Sequence, residues 1–283
     1  MNSRMFNIFL GILIFSTHNL FATHGAGMDI SYECISQGAN SDDYLVTVKY
    51  YRDCSSTSTP SNNFMIDYVS NCGSGSVVLP QASGPVFITQ LCPGSANPCF
   101  NGGLVELEEY IYQTTVTLTH CANWVLTVCG SGNRNNAITT ILNPSAQDLC
   151  VKAEINNLSV CNNSPSFTEY PAPYICVGQG YCYNNGALEI DGDSLIYSLE
   201  TPNNGSGGIT YLGSFSPSNP ISGSTVFDPI TGDLCMNATQ TQVSVIAMKV
   251  TEYRNGVKVG SVLRDIQIIV LNCSTIPPVL SGF

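Results

Sequence analysis

Residues 250–260 read VTEYRNGVKVG and contain the clearest local signal for the fold. Asn255 and Gly256 tolerate the positive φ angles of a tight primed turn, and apolar and polar residues alternate on both sides of them. Alternation with a period of two places successive side chains on opposite faces of a strand. The stretch therefore predicts a β-hairpin.

The same alternation extends outward along the chain. Short runs rich in β-branched and aromatic residues are separated by Gly, Pro, Asn and Ser, and no helical stripe interrupts them. The runs are SYECI (31–35), YLVTVKYY (44–51), FMIDYV (64–69), EYIYQTTVTLT (109–119), NWVLTV (123–128), SLIYSL (194–199), QVSVIAMKVTEY (242–253) and VLRDIQIIVL (262–271). They predict an all-β protein built from β-sandwiches.

The predicted organisation is a signal peptide followed by two immunoglobulin-like β-sandwich domains in tandem. Arg4 precedes an apolar run at 8–15 and small Ala22 fits a cleavage site, so 1–22 is interpreted as a secretory signal. The segment CNNSPSFTEYPAP (161–173) places three prolines and a polar cluster between strand signals. We expect an N-terminal β-sandwich domain at 23–162 and a C-terminal immunoglobulin- or cadherin-like β-sandwich domain at 163–283.

All 13 cysteines follow the predicted signal, a usage typical of proteins from oxidising compartments. We therefore expect a disulfide-stapled fold, in which the odd number leaves at least one thiol free or paired with another chain. Cys92 with Cys99 and Cys176 with Cys182 are candidate pairs, because each pair flanks a short turn-rich segment. Cys121 and Cys129 bracket one predicted strand, so each needs a different partner.

The charge balance excludes some partners. The chain has 9 basic and 20 acidic residues, a formal net charge of −11, which disfavours nucleic acid and anionic membranes. Charged residues make up only 10% of the chain, so its surface is polar without being strongly ionic. No second apolar run approaches the length of a membrane helix, and we expect no membrane insertion after signal cleavage.

The stretch EIDGDS (189–194) raises the question of a site. Glu189, Asp191 and Asp193 occupy every second position, so in extended backbone they point to one side. Three interpretations are open: a solvated acidic turn around Gly192, part of a calcium shell, or a catalytic acid pair. No cofactor is certain at this point, and calcium is the candidate.

Longer blocks resemble a known family. They are SYEC (31–34), YLVTVKYYRDCSS (44–56), NGGLVELEEYIYQ (101–113), RNNAITTILNPSAQD (134–148), the stretch at 161–199, FDPITGDLCMNATQTQVSVIAMKVTEYRNG (227–256) and LRDIQIIVLNC (263–273). Together they are similar to the N-terminal module of large exported Bacteroidota surface proteins, the gliding-motility-associated or PKD-domain proteins. In that family the acidic turn usually reads DPDGDSLVYSL; this chain has Glu189 and Ile190 in place of the Asp-Pro.

We expect a secreted, extracellular or cell-surface module that serves adhesion or surface assembly, with the link to gliding motility implied by the resemblance. No catalytic motif such as G-x-S-x-G or H-E-x-x-H is present, so we expect no enzyme activity. The partners of such a module are then other cell-surface proteins or glycans. The alternative is a secreted carbohydrate-active enzyme or its glycan-binding accessory module, with Glu189, Asp191 and Asp193, or Glu108 and Glu109, as candidate carboxylates. We expect His120 and Trp124 to be structural, since His120 has no identifiable catalytic partner and Trp124 alternates within a strand.

Overall fold

The computed structural model describes residues 25–54, 56, 59–88, 106–172 and 174–273. The predicted signal peptide (1–22) and the predicted pair of Cys92 with Cys99 lie outside these residues. Within them the chain forms strands and one 3₁₀ turn, Pro144–Ala146, without an α-helix. The all-β prediction is confirmed, and no helix in the described part has the length and hydropathy of a membrane span.

The strands are β1 (Gly25–Gln37), β2 (Ser41–Asp53), β3 (Asn63–Ser70), β4 (Gly73–Phe87), β5 (Leu107–Thr119), β6 (Trp124–Asn133), β7 (Asp148–Ile155), β8 (Ser166–Phe167), β9 (Tyr174–Cys176), β10 (Gly180–Asn184), β11 (Ala187–Leu188), β12 (Ser194–Glu200), β13 (Gly223–Phe227), β14 (Asp233–Ala238), β15 (Gln242–Arg254) and β16 (Val257–Leu271). The predicted hairpin is confirmed as β15 and β16. Its turn residues Asn255 and Gly256 have φ angles of 53° and 79°.

Most strands belong to one sheet that closes on itself. Its hydrogen-bonded order is β1-β2-β5-β4-β3-β6-β7-β16, and β16 also pairs with β1. Every pairing in this ring is antiparallel. From β16 the sheet continues outward through β15 to β12.

β16 is the strand through which the ring closes. One edge pairs with β15 along nearly its whole length. The other edge pairs in succession with β7 at 260–262, with β1 at 264–266 and with β9 at 269–271. Ten successive residues of β16, 259–268, are buried, as expected of a strand covered on both faces.

Two large hydrophobic cores lie along β15 and β16. The main core contains residues from every strand of the ring, including Val262 of β16. The second core packs Leu234 and Met236 of β14 against Ile266 and Ile268 of β16. The three-stranded sheet β10-β14-β13 therefore covers the far end of β16, which is a sandwich arrangement.

Five disulfides join described cysteines: Cys34–Cys161, Cys72–Cys121, Cys129–Cys150, Cys176–Cys273 and Cys182–Cys235. Cys54 is also disulfide-bonded. The prediction of a disulfide-stapled fold is confirmed. So is the expectation that Cys121 and Cys129 have different partners.

The predicted pair of Cys176 with Cys182 is wrong. The two residues lie on β9 and β10, which belong to different sheets. Cys182 faces Cys235 directly in the β10–β14 ladder, at a Cα–Cα distance of 4.0 Å. Cys176 pairs in register with Leu271, which brings it to 5.6 Å from the Cα of Cys273. Strand pairing, not separation along the chain, decides these bonds.

Strand pairing also crosses the predicted boundary between 162 and 163. β16 belongs to the C-terminal segment but pairs with β1 and β7 of the N-terminal segment. The segment at 161–173 is the predicted joint between the two domains, and the disulfide Cys34–Cys161 ties this joint to β1 as well. The division at this boundary stays a prediction, and the two segments it separates share one sheet.

Two adjacent charged residues of β16, Arg264 and Asp265, are buried. Successive side chains of a strand point to opposite faces, so each charge needs its own partner. Arg264 Nη2 donates to Asp29 Oδ2 at 2.6 Å, and the guanidinium lies 4.2 Å from the ring centroid of Phe167. Asp265 accepts two bonds from Arg134, at 2.9 and 2.5 Å.

We expect Arg264→Met to destabilise the protein by about 3–5 kcal/mol, because it leaves the Asp29 carboxylate buried without its cation. The matched control is Lys258→Met, which removes the exposed partner of Glu154 and is expected to cost at most about 1 kcal/mol. Denaturant unfolding measures both. Equal losses in the two variants would contradict a special role for the buried pair.

Candidate functional site

The acidic turn lies between β11 and β12, and Glu189 shapes it. The Glu189 carboxylate accepts backbone N–H bonds from Asp191, Gly192 and Asp193 at 2.6, 2.6 and 2.7 Å. Gly192 has a φ of 84°, which glycine adopts without strain. A side chain that caps its own turn fixes the loop and uses both of its oxygens as acceptors.

Arg254 neutralises the other two acids. Its Nε and Nη2 atoms donate to the two oxygens of Asp193 at 2.7 and 2.8 Å, in the bidentate geometry that suits a guanidinium. Nη2 also lies 3.1 Å from Asp191 Oδ2 and 2.7 Å from Asn162 Oδ1. The β15–β16 hairpin places Arg254 here, directly before its turn.

The predicted joint between domains contributes to the same cluster. The Asn163 backbone N–H and side-chain amide both donate to Asp191, at 2.9 and 2.7 Å. Asn162 is fully buried, and its Nδ2 lies 3.2 Å from both oxygens of Glu252. The joint is therefore bonded to the acidic turn and to β15.

Glu252 lies beneath the turn and is fully buried. Burial raises the pKa of its carboxyl group to about 8; the bond from Asn162 opposes this rise, and the nearby charges of Asp193, Glu189 and Asp191 add to it. The Tyr32 hydroxyl lies 3.4 Å from Glu252 Oε2. The cluster thus contains a carboxyl group that stays protonated at neutral pH.

The structure brings the three predicted acids together. One carboxylate oxygen from each lies within 4.8 Å of the others. However, all six oxygens already accept hydrogen bonds, from the turn backbone, from Asn163 and from Arg254. Calcium prefers six to eight oxygen ligands, so it would need further donors and would compete with Arg254.

The second candidate pair, Glu108 and Glu109, does not form a facing pair. They are neighbours on β5, so their side chains point to opposite faces. Glu108 forms a buried ion pair with Arg52 and accepts a bond from the Tyr110 hydroxyl at 3.2 Å. Glu109 is buried, and that burial raises its pKa. A glycosidase needs two carboxyl groups that face each other across a sugar.

His120 and Trp124 occupy structural positions. His120 Nε2 lies 3.3 Å from Asp42 Oδ1 at the end of β5. Trp124 is buried in the main core, and its indole N–H donates to the Thr119 carbonyl at 2.8 Å. Its ring packs edge-on against Tyr68 at 5.8 Å, so Trp124 offers no exposed platform to a ligand.

Sequence reasoning missed a charged groove across β7, β16, β15 and β12. We call it the Lys–Glu groove, after the side chains of Lys152, Glu154, Glu200 and Lys249 that line it; its volume is about 320 Å³. The only sequence signal is the alternation of Lys152 and Glu154 on β7, which also describes an ordinary exposed strand face. The four side chains come from three strands that are distant in the chain.

Both acids of the Lys–Glu groove favour the ionised form. Partial burial raises the pKa of Glu154, but hydrogen bonds from Lys258 and Ser261 outweigh it and keep the pKa below the ordinary value. Burial also raises the pKa of Glu200, but hydrogen bonds from Lys249 and Ser198 outweigh it and keep the pKa below the ordinary value. A general acid needs the opposite shift.

No protein-family model and no curated protein matches the chain. The solved structure "Titin Ig tandem domains A164-A165" is similar at 10% identity, over 88% of this chain and 100% of that one, with a TM-score of 0.20. This likeness is too low to carry an argument about fold or function.

The raised pKa of Glu252 predicts a pH-dependent stability. The folded protein holds this proton up to a pKa of about 8, whereas the unfolded chain loses it near the ordinary value of 4.5. The stability that the group contributes is therefore fully present below pH 4.5 and is lost as the pH rises through 8. Glu252→Gln mimics the protonated form, so at pH 9.5 we expect it to be about 3–5 kcal/mol more stable than the parent.

Thermal or denaturant unfolding between pH 5 and 10 measures this difference. The control is Glu33→Gln, which removes an exposed acid of β1 and is expected to retain the parent's pH dependence. An identical pH profile in Glu252→Gln and the parent would refute the assignment.

Proposed function

We propose that this protein is a rigid, non-enzymatic module of the bacterial cell surface, which serves adhesion or surface assembly in the manner of the Bacteroidota family it resembles. The disulfides support export, because such bonds persist in oxidising compartments. Rigid sheets that hold surface loops and grooves in place suit a binding or structural module.

The proposal rests on one observation: donors of the protein itself already engage the candidate carboxylates. Glu189 caps its own turn, and Asp193 is held by both donor atoms of Arg254. Hydrogen bonds from Asn163 and Arg254 outweigh burial and lower the pKa of Asp191. All three carboxylates are thus engaged by donors of the protein itself, whereas acid catalysis on a glycoside requires two carboxyl groups that face each other across the sugar.

Surface labelling of intact cells of the producing bacterium tests the proposal. We expect antibody or protease to reach the protein on intact cells, and the purified protein to release no reducing ends from polysaccharides. A protein protected from both reagents until the cells are lysed, or one that cleaves a polysaccharide, would overturn the proposal.

Two cations could neutralise the acidic turn, the Arg254 guanidinium and a bound calcium ion. Calcium is favoured by the proximity of the three carboxylates. We propose that Arg254 serves there as the resident cation. Melting of the parent protein should then be unchanged by calcium or by chelator.

In Arg254→Gln the three acids lose their cation, so we expect a lower melting midpoint that calcium raises again by binding the folded state. Lys49→Gln, which removes a lysine of β2 that donates to the Phe167 carbonyl and forms no described bond to the three acids, is the control and should not become calcium-sensitive. A midpoint of the parent that falls with chelator would favour calcium as the resident ion.

A further inference from the structure

The two acids of the Lys–Glu groove each have one engaged oxygen and one free oxygen. Glu200 Oε1 lies 2.9 Å from Lys249 Nζ and accepts a bond from the Ser198 hydroxyl at 2.8 Å. Glu200 Oε2 has no hydrogen bond to any described residue. Lys249 and Ser198 thus fix the carboxylate while its second oxygen remains available.

Glu154 repeats this arrangement on the other side of the groove. Its Oε2 atom accepts bonds from Lys258 and from the Ser261 hydroxyl, the latter at 2.5 Å. Its Oε1 atom has no partner in the described chain. The side chains of Glu154 and Glu200 are 39% and 38% exposed, so a ligand can approach both carboxylates.

Lys152 supplies an available donor. It is exposed on β7, lines the same groove, and makes no ion pair or hydrogen bond with a described residue. Among the residues that the structure describes, the groove therefore offers two fixed acceptors and one cation without a partner. Its lining charges, Lys152 and Lys249 against Glu154 and Glu200, balance, so it selects neither a strong cation nor a strong anion.

The rest of the lining is small and polar. Thr201, Asn203, Gly207 and Gly208 form a loop at one end, and Leu263 is the only large apolar residue among the described ones. A volume of about 320 Å³ is at the lower end of the range for small-molecule sites. A compact, uncharged, hydrogen-bonding ligand suits these dimensions.

We propose that the Lys–Glu groove binds a neutral sugar unit of a surface polysaccharide. Sugar hydroxyls would donate to Glu154 Oε1 and Glu200 Oε2 and accept from Lys152, so each group gains a charge-assisted bond. A peptide strand fits less well, because it pairs with a free sheet edge, and the groove crosses the face of strands that are already paired. This inference rests on the proposed function as a surface-binding module and names its ligand.

Titration of the folded protein with a panel of neutral oligosaccharides of glucose, mannose, galactose and N-acetylglucosamine, followed by calorimetry or NMR, tests the inference. We expect at least one to bind, and Glu200→Gln and Lys152→Ala each to weaken that binding about tenfold. Asp67→Asn, an exposed acid of β3 outside the groove, is the matched control and should bind like the parent.

Melting curves of the variants separate loss of the site from loss of the fold. Lys152→Ala should retain the parent's melting midpoint, since the Lys152 side chain has no described partner. If Glu200→Gln is unstable, the binding measured with Lys152→Ala alone tests the inference. Absence of binding to the whole panel, or equal binding by the parent and both groove variants, would overturn the inference. If the protein is exposed on intact cells but binds none of these sugars, the proposed sugar site is refuted and the proposed function as a surface module is not.

Discussion

The pairing of Arg264 with Asp29 and of Asp265 with Arg134 is the constraint on which the rest of the fold depends. A buried ion pair adds little net stability, since both charges lose their water, but a buried charge without a partner is costly. A slip of β16 by one residue would exchange its two faces and leave both pairs broken. The register that satisfies both charges is also the one in which β16 contacts β7, β1 and β9 in turn.

The disulfide of Cys176 with Cys273 follows from this register. Cys176 reaches Cys273 because β9 pairs with the end of β16, and Cys34 reaches Cys161 across a separation of 127 residues. Bonds that close long loops restrict the unfolded chain most on the entropic model. The covalent links therefore secure a topology that strand pairing has already selected, in a ring whose first and last strands are neighbours.

Local features of the sequence predicted local structure well. The turn at Asn255–Gly256, the strand pattern and the buried position of Trp124 each depend on residues within a few positions. The ring and the pair of Cys182 with Cys235 depend on partners distant in the chain, which alternation does not identify. The acidic turn stands out in the sequence because its three acids occupy alternate positions of 189–193. Arg254, which neutralises two of them, lies about 60 residues further on. The Lys–Glu groove had no signal, since each strand supplies only one or two of its residues.

The acidic turn and the Lys–Glu groove show how the same side chains serve different ends. In the turn every carboxylate oxygen is occupied by a donor from the chain itself, so the charges hold the joint, the hairpin and β12 together. In the groove, lysines and hydroxyls occupy one oxygen of each acid and leave the other exposed. A preorganised polar group with free bonding capacity gains more from a ligand than one that must first break its own bonds. The clustering of acidic residues in the sequence therefore draws attention to the turn, whereas the unused hydrogen-bonding capacity favours the groove as the proposed binding surface.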